Sequence, residues 1–117
     1  MQTKRYHIIV DLKGVSKDVV NNVDGLVEFL KSFPSKIGMH VLKGPEVVSG
    51  IDENPGITGF VIIDYSHISV HTFSKYDEAL VDIFSCKLYD QEVAVQVALD
   101  YFKVPRENAR IQQVCWE

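Results

Sequence analysis

Apolar and polar positions follow two different periods along the chain, and the change of period separates strands from helices. Residues 5–12 are β-branched and apolar at their centre and close on Gly14, which predicts a first strand that ends in a turn. After it the apolar positions recur at steps of three and four: Val19, Val23, Leu26, Leu30 and Phe33. Ser16 is an acceptable N-cap and Pro34 stops the pattern, so we predict a helix over residues 17–32.

The middle of the chain is rich in β-type segments. A short strand is expected around Gly38 to Leu42, and the Gly- and Pro-containing stretch from Lys43 to Gly56 predicts a long loop. Such loops are often functional or mobile. Three strand-like segments then follow in close succession: Ile57 to Asp64, His67 to Phe73, and Ala79 to Cys86.

The last third of the chain predicts one more helix and one more strand. Asp90 can cap a helix that Pro105 ends, and the strand covers Ala109 to Val114. The apolar stripe of this helix is expected to contain Val93, Ala94, Val97, Ala98 and Tyr101. Together the elements predict one α+β domain over residues 1–117. We expect a two-layer α/β sandwich, with a mainly antiparallel sheet and two helices on one face.

The sheet face without helices is expected to carry unusual residues. Alternation places Ile68, Val70, Ala79, Val81 and Ile83 on the helix side. On the opposite side it places His67, Ser69, His71, Phe73, Leu80, Asp82, Phe84 and Cys86. This second set is too varied for a plain solvent face and too polar for a core. It predicts a dimer interface or a reaction site.

Composition and charge narrow the class of protein. The 117 residues are 46% hydrophobic and 24% charged, which is typical of a globular protein and excludes collagen-like and disordered classes. The net charge is −4, with scattered basic residues, so nucleic acid is not an expected partner. No apolar run is long enough to cross a membrane, and Cys86 and Cys115 lack metal-site spacing. We therefore expect a cytoplasmic protein with reduced thiols.

Simple pairwise motifs do not identify the chemistry. His67 and His71 are four residues apart, which on a strand separates them by about 13 Å, too far for one metal ion. No metal site is therefore predicted. The sequence also lacks a GxSxG elbow around Ser66. A nucleophilic Cys86–His71 pair remains open at this point.

A longer motif is more specific. Residues 66–73 read Ser-His-Ile-Ser-Val-His-Thr-Phe, and after five residues 79–86 read Ala-Leu-Val-Asp-Ile-Phe-Ser-Cys. This pattern resembles the core signature of the prokaryotic S-adenosylmethionine decarboxylase proenzymes, a pyruvoyl-dependent family. The resemblance extends upstream through Thr58-Gly59 and to the first strand, His7 to Asp11.

The resemblance implies a self-processing enzyme. Ser66 would attack the carbonyl of Tyr65, with Thr58 supporting the developing oxyanion, and His71 would remove the Cα proton of Ser66. The chain would divide into residues 1–65 and 66–117, the second beginning with a pyruvoyl cofactor made from Ser66. A pyruvoyl carbonyl can form a Schiff base with an amine and accept the electrons released on decarboxylation. Cys86 would be the proton donor to the product.

The implied substrate is S-adenosylmethionine, and the implied product is the aminopropyl donor of spermidine biosynthesis. The family also forms dimers, and the uncovered sheet face with Phe73 and Phe84 favours a homodimer here.

Three departures from the family pattern leave alternatives open. Tyr65 replaces a Glu, residues 41–59 lack the aromatic that reaches the adenine, and residues 73–75 read Phe-Ser-Lys instead of Trp-Pro-Glu. We expect Tyr6 or Phe60 to replace the missing stacking partner. One alternative is a pyruvoyl-dependent arginine or ornithine decarboxylase. The carboxylates that could meet the distal cation of such a substrate are Asp64, Asp82 and Glu78. The other alternative is an uncleaved, non-catalytic homologue that acts as a partner subunit.

Overall fold

Six strands form a single antiparallel sheet in the computed structural model, which describes all 117 residues. The strand order is β2-β3-β4-β5-β1-β6. The strands are β1 (Arg5–Leu12), β2 (Val41–Ile51), β3 (Asn54–Ile63), β4 (Ser66–Phe73), β5 (Glu78–Ser85) and β6 (Ala109–Trp116). The helices are α1 (Lys17–Val20), α2 (Val23–Lys36) and α3 (Gln91–Phe102), with a single 3-10 turn at Arg106–Asn108. The predicted α+β sandwich with a mainly antiparallel sheet is confirmed.

One face of the sheet carries the core. From Ile68 in β4 and from Ala79 in β5, every second residue is buried, as at Val70 and Val81, while the residues between them are partly or fully exposed. The helices cover this face through buried side chains such as Leu30 and Phe102, and 28 buried residues form one cluster. At Gly59 a Cβ would lie 2.6 Å from Leu30 Cδ1, so α2 approaches β3 more closely than a larger residue would allow. The opposite sheet face, which we call the open face, has no helix on it.

The predicted helix over residues 17–32 is wrong in its bounds. It is divided into α1 and α2, because the Asn22 side chain accepts a hydrogen bond from the Gly25 N–H at 2.8 Å and starts a new helix. Ser16 precedes α1 but makes no capping hydrogen bond. Pro34 does not stop α2 but lies inside its last turn, where the fixed φ of proline suits a helix and only one backbone donor is lost.

The predicted loop from Lys43 to Gly56 is also wrong. These residues belong to the hairpin of β2 and β3, and the register shifts between Lys43 and Glu46. Gly44, with φ of +92°, and Pro45 occupy this irregular stretch of an edge strand. Edge strands tolerate both residues at a bulge, since the missing or misdirected N–H faces away from the sheet.

The second predicted helix is confirmed, but its buried stripe is not the expected one. The Asp90 carboxylate accepts a hydrogen bond from the Val93 N–H at 3.2 Å, as a cap should. The buried residues are Ala94, Val95, Ala98, Leu99 and Phe102. Val93 is exposed, because apolar residues occur on two adjacent faces of this helix and the larger Leu99 and Phe102 determine which one packs. None of the helices is long and apolar enough to cross a membrane.

A buried threonine connects the sheet to the first helix. Thr72 Oγ1 accepts a hydrogen bond from the Ile57 N–H at 2.9 Å and donates one to the Val20 carbonyl at 2.8 Å. Both peptide groups are buried among apolar side chains. The hydroxyl therefore satisfies two backbone groups that would otherwise have no partner.

Replacing this hydroxyl should destabilise the fold. Thr72→Val leaves the two buried peptide groups unpaired, and we expect the free energy of unfolding to fall by about 1–3 kcal/mol. Urea unfolding followed by circular dichroism measures the change. Thr72→Ser is the matched control, since it keeps the hydroxyl and loses only a methyl group. Equal stability of Thr72→Val and the unmodified protein would contradict this account.

Candidate active site

The Tyr65–Ser66 bond lies where a tight turn enters β4. Ile63 pairs with Ser66, so the hairpin turn consists only of Asp64 and Tyr65. Neither residue has a positive φ, although the two-residue turns that match the twist of a hairpin generally require one. Contacts from outside the turn therefore help to hold its shape.

The first such contact is with His40, just before β2. The Asp64 N–H donates to the His40 carbonyl at 3.1 Å, and Asp64 Oδ1 accepts from the His40 N–H at 3.1 Å. Asp64 Oδ2 lies 3.1 Å from His40 Nδ1. Burial by itself raises the pKa of the Asp64 carboxyl. The hydrogen bonds and charge of His40, with a backbone hydrogen bond of Asp64 itself, lower the pKa by more than burial raises it. The pKa therefore lies below its ordinary value, and the carboxylate is ionised at neutral pH.

The second contact fixes the Tyr65 carbonyl. The Cys86 N–H donates to the Tyr65 carbonyl oxygen at 3.2 Å, because Ser85 pairs with Ser66 and Cys86 follows it. The Tyr65 ring is 54% exposed, and Lys87 Nζ lies 5.8 Å from its centroid. The carbonyl that a serine nucleophile would attack thus already has a hydrogen-bond donor on its oxygen.

Thr58 and His71 form a separate pair. They are directly opposite each other on β3 and β4, and Thr58 Oγ1 lies 3.0 Å from His71 Nδ1. Both side chains are on the open face, where His71 is exposed. The hydroxyl can orient the imidazole and fix its tautomer.

The four candidate residues thus fall into two groups. Ser66 and Cys86 are near each other at one end of β4 and β5, and Thr58 and His71 are near each other further along β4. Ser66 and His71 are five residues apart on one strand, which separates them by about 17 Å. The Ser66 side chain also points towards the helices, with Oγ donating to Met39 Sδ at 3.5 Å. A single copy of the chain does not bring the two groups together.

A row of rings crosses the open face between these groups. Phe60 stacks on His67 at 5.3 Å between centroids, His67 stacks on Phe84 at 5.7 Å, and Phe84 meets the edge of His7 at 5.7 Å. The stacking of Phe60 on His67 and the contact of His7 with Phe84 were not predicted, because both depend on the strand order. Only the insertion of β1 between β5 and β6 places His7 beside Phe84. Alternation alone places His67 and Phe84 on this face.

Two of the three carboxylates proposed for a distal cation have other partners. Asp82 Oδ1 lies 2.8 Å from His7 Nε2, and Asp64 is held by His40 as described above. Glu78 is exposed at the start of β5, opposite Phe73. Of the two aromatics expected to replace the missing stacking partner, Tyr6 is wrong, since it is buried on the helix side. Phe60 is 41% exposed on the open face.

The sequence matches a known family over nearly its whole length. A family model described as S-adenosylmethionine decarboxylase matches residues 6–113. An S-adenosylmethionine decarboxylase proenzyme from Bacillus velezensis is 30% identical over 112 residues, which cover 95% of this chain and 86% of that protein. A proenzyme with the same name from Thermodesulfovibrio yellowstonii is 29% identical over 103 residues, covering 85% of this chain and 73% of that protein.

The fold is also similar to that of a solved structure. The crystal structure of the adenosylmethionine decarboxylase from Aquifex aeolicus superposes with a TM-score of 0.71 at 26% sequence identity. The match covers all of this chain and 92% of the other. The similarity therefore includes the whole sheet, its helices and the hairpin that carries Ser66.

Proposed function

The chain belongs to the S-adenosylmethionine decarboxylase family, and we propose that it makes a pyruvoyl group by cleaving its own Tyr65–Ser66 bond and decarboxylates S-adenosylmethionine. The product would be the aminopropyl donor for spermidine biosynthesis. The observation that carries the proposal is the 3.2 Å hydrogen bond from the Cys86 N–H to the Tyr65 carbonyl. It joins the bond to be cleaved to the residue whose thiol the reaction would need later.

The cleavage step would need the Ser66 hydroxyl, which donates to Met39 Sδ in this structure, and a donor for the Tyr65 carbonyl oxygen. Ser66 Oγ attacks the Tyr65 carbonyl carbon, the C–N bond breaks as the hydroxyl proton passes to the departing Ser66 nitrogen, and the amide becomes an ester with a free amine. Negative charge develops on the Tyr65 oxygen, where the Cys86 N–H already donates. A single donor of this kind typically contributes about 10²–10³-fold to a rate.

His71 and Thr58 have the chemistry of the elimination step. With Nδ1–H donating to Thr58 Oγ1, His71 Nε2 keeps a lone pair that can take the Cα proton of Ser66. The ester then leaves as the carboxylate of Tyr65, and the dehydroalanine that remains is hydrolysed to a pyruvoyl end and ammonia. Thr58 also provides a hydroxyl that can donate to the oxyanion.

These roles require a second copy of the chain, because Ser66 and His71 of one copy are about 17 Å apart along β4. Two open faces can stack about 10 Å apart around a two-fold axis that crosses the strands. Ser69 and Asp82 are paired on β4 and β5, and Ser69 lies between Ser66 and His71 along β4. A two-fold axis over this pair would therefore place the Thr58–His71 pair of each copy over the Tyr65–Ser66 bond of the other. The same stacking covers the exposed ring of Phe60. We therefore propose a homodimer with two composite sites.

The pyruvoyl group would supply the electron sink for loss of carbon dioxide from an α-amino acid. Residue 66 would carry it beside Cys86, and the partly buried Cys86 thiol can donate the proton that replaces the carboxylate. Phe60, His67 and Phe84 provide ring surface on the open face for an adenine held between the two copies. Arginine and ornithine are less suitable substrates, since two of the three candidate carboxylates, Asp64 and Asp82, are each already paired with a histidine.

Self-cleavage predicts two fragments. Intact-mass analysis of the purified protein should give residues 1–65 and a fragment 66–117 that lacks the mass of ammonia relative to a serine-ended peptide. Ser66→Ala should remain a single chain, since it has no nucleophile. A wild-type chain that stays intact on long incubation would contradict the proposed function.

The composite site predicts complementation between two inactive variants. Neither Ser66→Ala nor His71→Ala should form a pyruvoyl end alone. A mixed dimer should do so at one of its two sites, where an intact Ser66 meets the partner's intact His71. Differently tagged chains co-expressed and analysed by mass spectrometry test this. Mixing His71→Ala with the double variant Ser66→Ala/His71→Ala is the control, and equal results from the two mixtures would contradict the shared site.

The Cys86 thiol should matter only after cleavage. Cys86→Ala keeps the backbone N–H, so we expect normal fragmentation but a loss of about 10²–10⁴-fold in turnover, typical of losing a general acid. Release of labelled carbon dioxide from S-adenosylmethionine, arginine and ornithine, assayed side by side, measures activity and substrate. Cys115→Ala is the matched control, because that exposed thiol is on β6. Activity on a free amino acid alone would contradict the proposed substrate.

A further inference from the structure

The turn before Ser66 is fastened to a residue 24 positions earlier in the chain. Asp64 and His40 share two backbone-involving hydrogen bonds and one contact between side chains, all at 3.1 Å. The Asp64 side chain is 22% exposed, whereas the His40 side chain is 84% exposed. The carboxylate is therefore the enclosed member of the pair and the imidazole the outer one.

This contact and the Cys86 hydrogen bond act on adjacent residues. Asp64 is bound to His40 at the start of β2, and the next residue, Tyr65, has its carbonyl bound to the Cys86 N–H beyond β5. The scissile bond follows directly. The peptide to be cleaved is thus fixed between two strands that are not neighbours in the sheet.

Attack by Ser66 needs the Tyr65 carbonyl to stay on its donor while the peptide distorts. The turn does not have the positive φ values that would shape it on its own. If Asp64 were free to move, the carbonyl could rotate away from the Cys86 N–H, and a small misplacement of reacting groups has a large effect on rate.

We propose that Asp64 is a positioning residue for self-cleavage, acting through its carboxylate contacts with His40 to keep the Tyr65 carbonyl on the Cys86 N–H. The proposal rests on the proposed function, since it assigns a role in the same cleavage reaction. It goes beyond that function by identifying a residue that touches none of the reacting atoms.

The hairpin of β2 and β3 offers a matched control. Its two-residue turn is Asp52 and Glu53, again an acidic residue in first position without a positive φ. Asp52 is exposed and distant from the scissile bond along β3. Asp52→Ala therefore removes an equivalent side chain from an equivalent turn without disturbing Tyr65.

The test measures the cleavage rate of the full chain with and without hydroxylamine. Hydroxylamine cleaves an ester directly, so it bypasses the elimination step but cannot bypass the attack. We expect Asp64→Ala to slow cleavage by at least about tenfold, with no recovery in hydroxylamine, because the attack itself is impaired. His71→Ala should instead recover cleavage in hydroxylamine, and Asp52→Ala should behave as wild type.

Two further variants separate positioning from folding. Asp64→Asn keeps an oxygen for the His40 N–H and should recover part of the rate. His40→Ala loses only a solvent-exposed side-chain contact, so it should slow cleavage less than Asp64→Ala. The melting temperature of each variant is measured in the uncleavable Ser66→Ala background. If Asp64→Ala does not fold, the cleavage rates of Asp64→Asn and His40→Ala test the positioning role instead.

The outcomes are distinguishable. A wild-type rate in Asp64→Ala, recovery of that variant in hydroxylamine, or rate losses that merely follow the melting temperature would overturn the positioning role and leave the proposed function intact. Failure of the wild-type chain to cleave would overturn both.

Discussion

The register of β3, β4 and β5 is the constraint on which the rest of the molecule depends. It places Thr58 opposite His71 on one side of β4, and it places Cys86 where its N–H reaches the Tyr65 carbonyl on the other. A slip of one residue would turn every side chain of β4 to the opposite face and bury His71 among the helices. The apolar residues between, such as Val70 and Val81, have no exposed surface, and their burial holds the register.

The same alternation explains why most strands were predicted correctly. The ends of the first helix and of β2 were predicted less well, for a different reason. A buried face produces period two in the sequence, so β1 and the last two central strands are clear from the chain alone. Pro34 and the residues around Gly44 were misjudged because local preference was weighed without the sheet. A buried helix end tolerates a proline, and an edge strand tolerates a bulge, but neither context is visible in a single sequence.

Prediction of the site had a different limit. The motif pointed to Thr58, Ser66, His71 and Cys86 as candidate residues, and spacing on a strand was used only to exclude a metal site at His67 and His71; the separation of Ser66 from His71 emerged with the observed strand β4. That spacing does not reveal which strands are neighbours, so the ring row and the contact of Asp64 with His40 could not be anticipated. Both depend on residues that are distant in sequence and adjacent only after folding. The candidate catalytic residues can thus be recognised from short sequence motifs, whereas the contacts that hold them in position depend on the strand order.

The strand order would have a consequence for the proposed cleavage after Tyr65. The first fragment would own β1, β2 and β3, and the second would own β4, β5 and β6, yet the sheet runs β2-β3-β4-β5-β1-β6. Ownership therefore changes three times across the sheet, at β3–β4, β5–β1 and β1–β6. Because β1 lies between β5 and β6, the first fragment would contribute a strand to the middle of the second fragment's part of the sheet. The fragments could not separate without breaking three ladders and opening the shared core, so a break in the backbone at this hairpin would leave the two fragments held together.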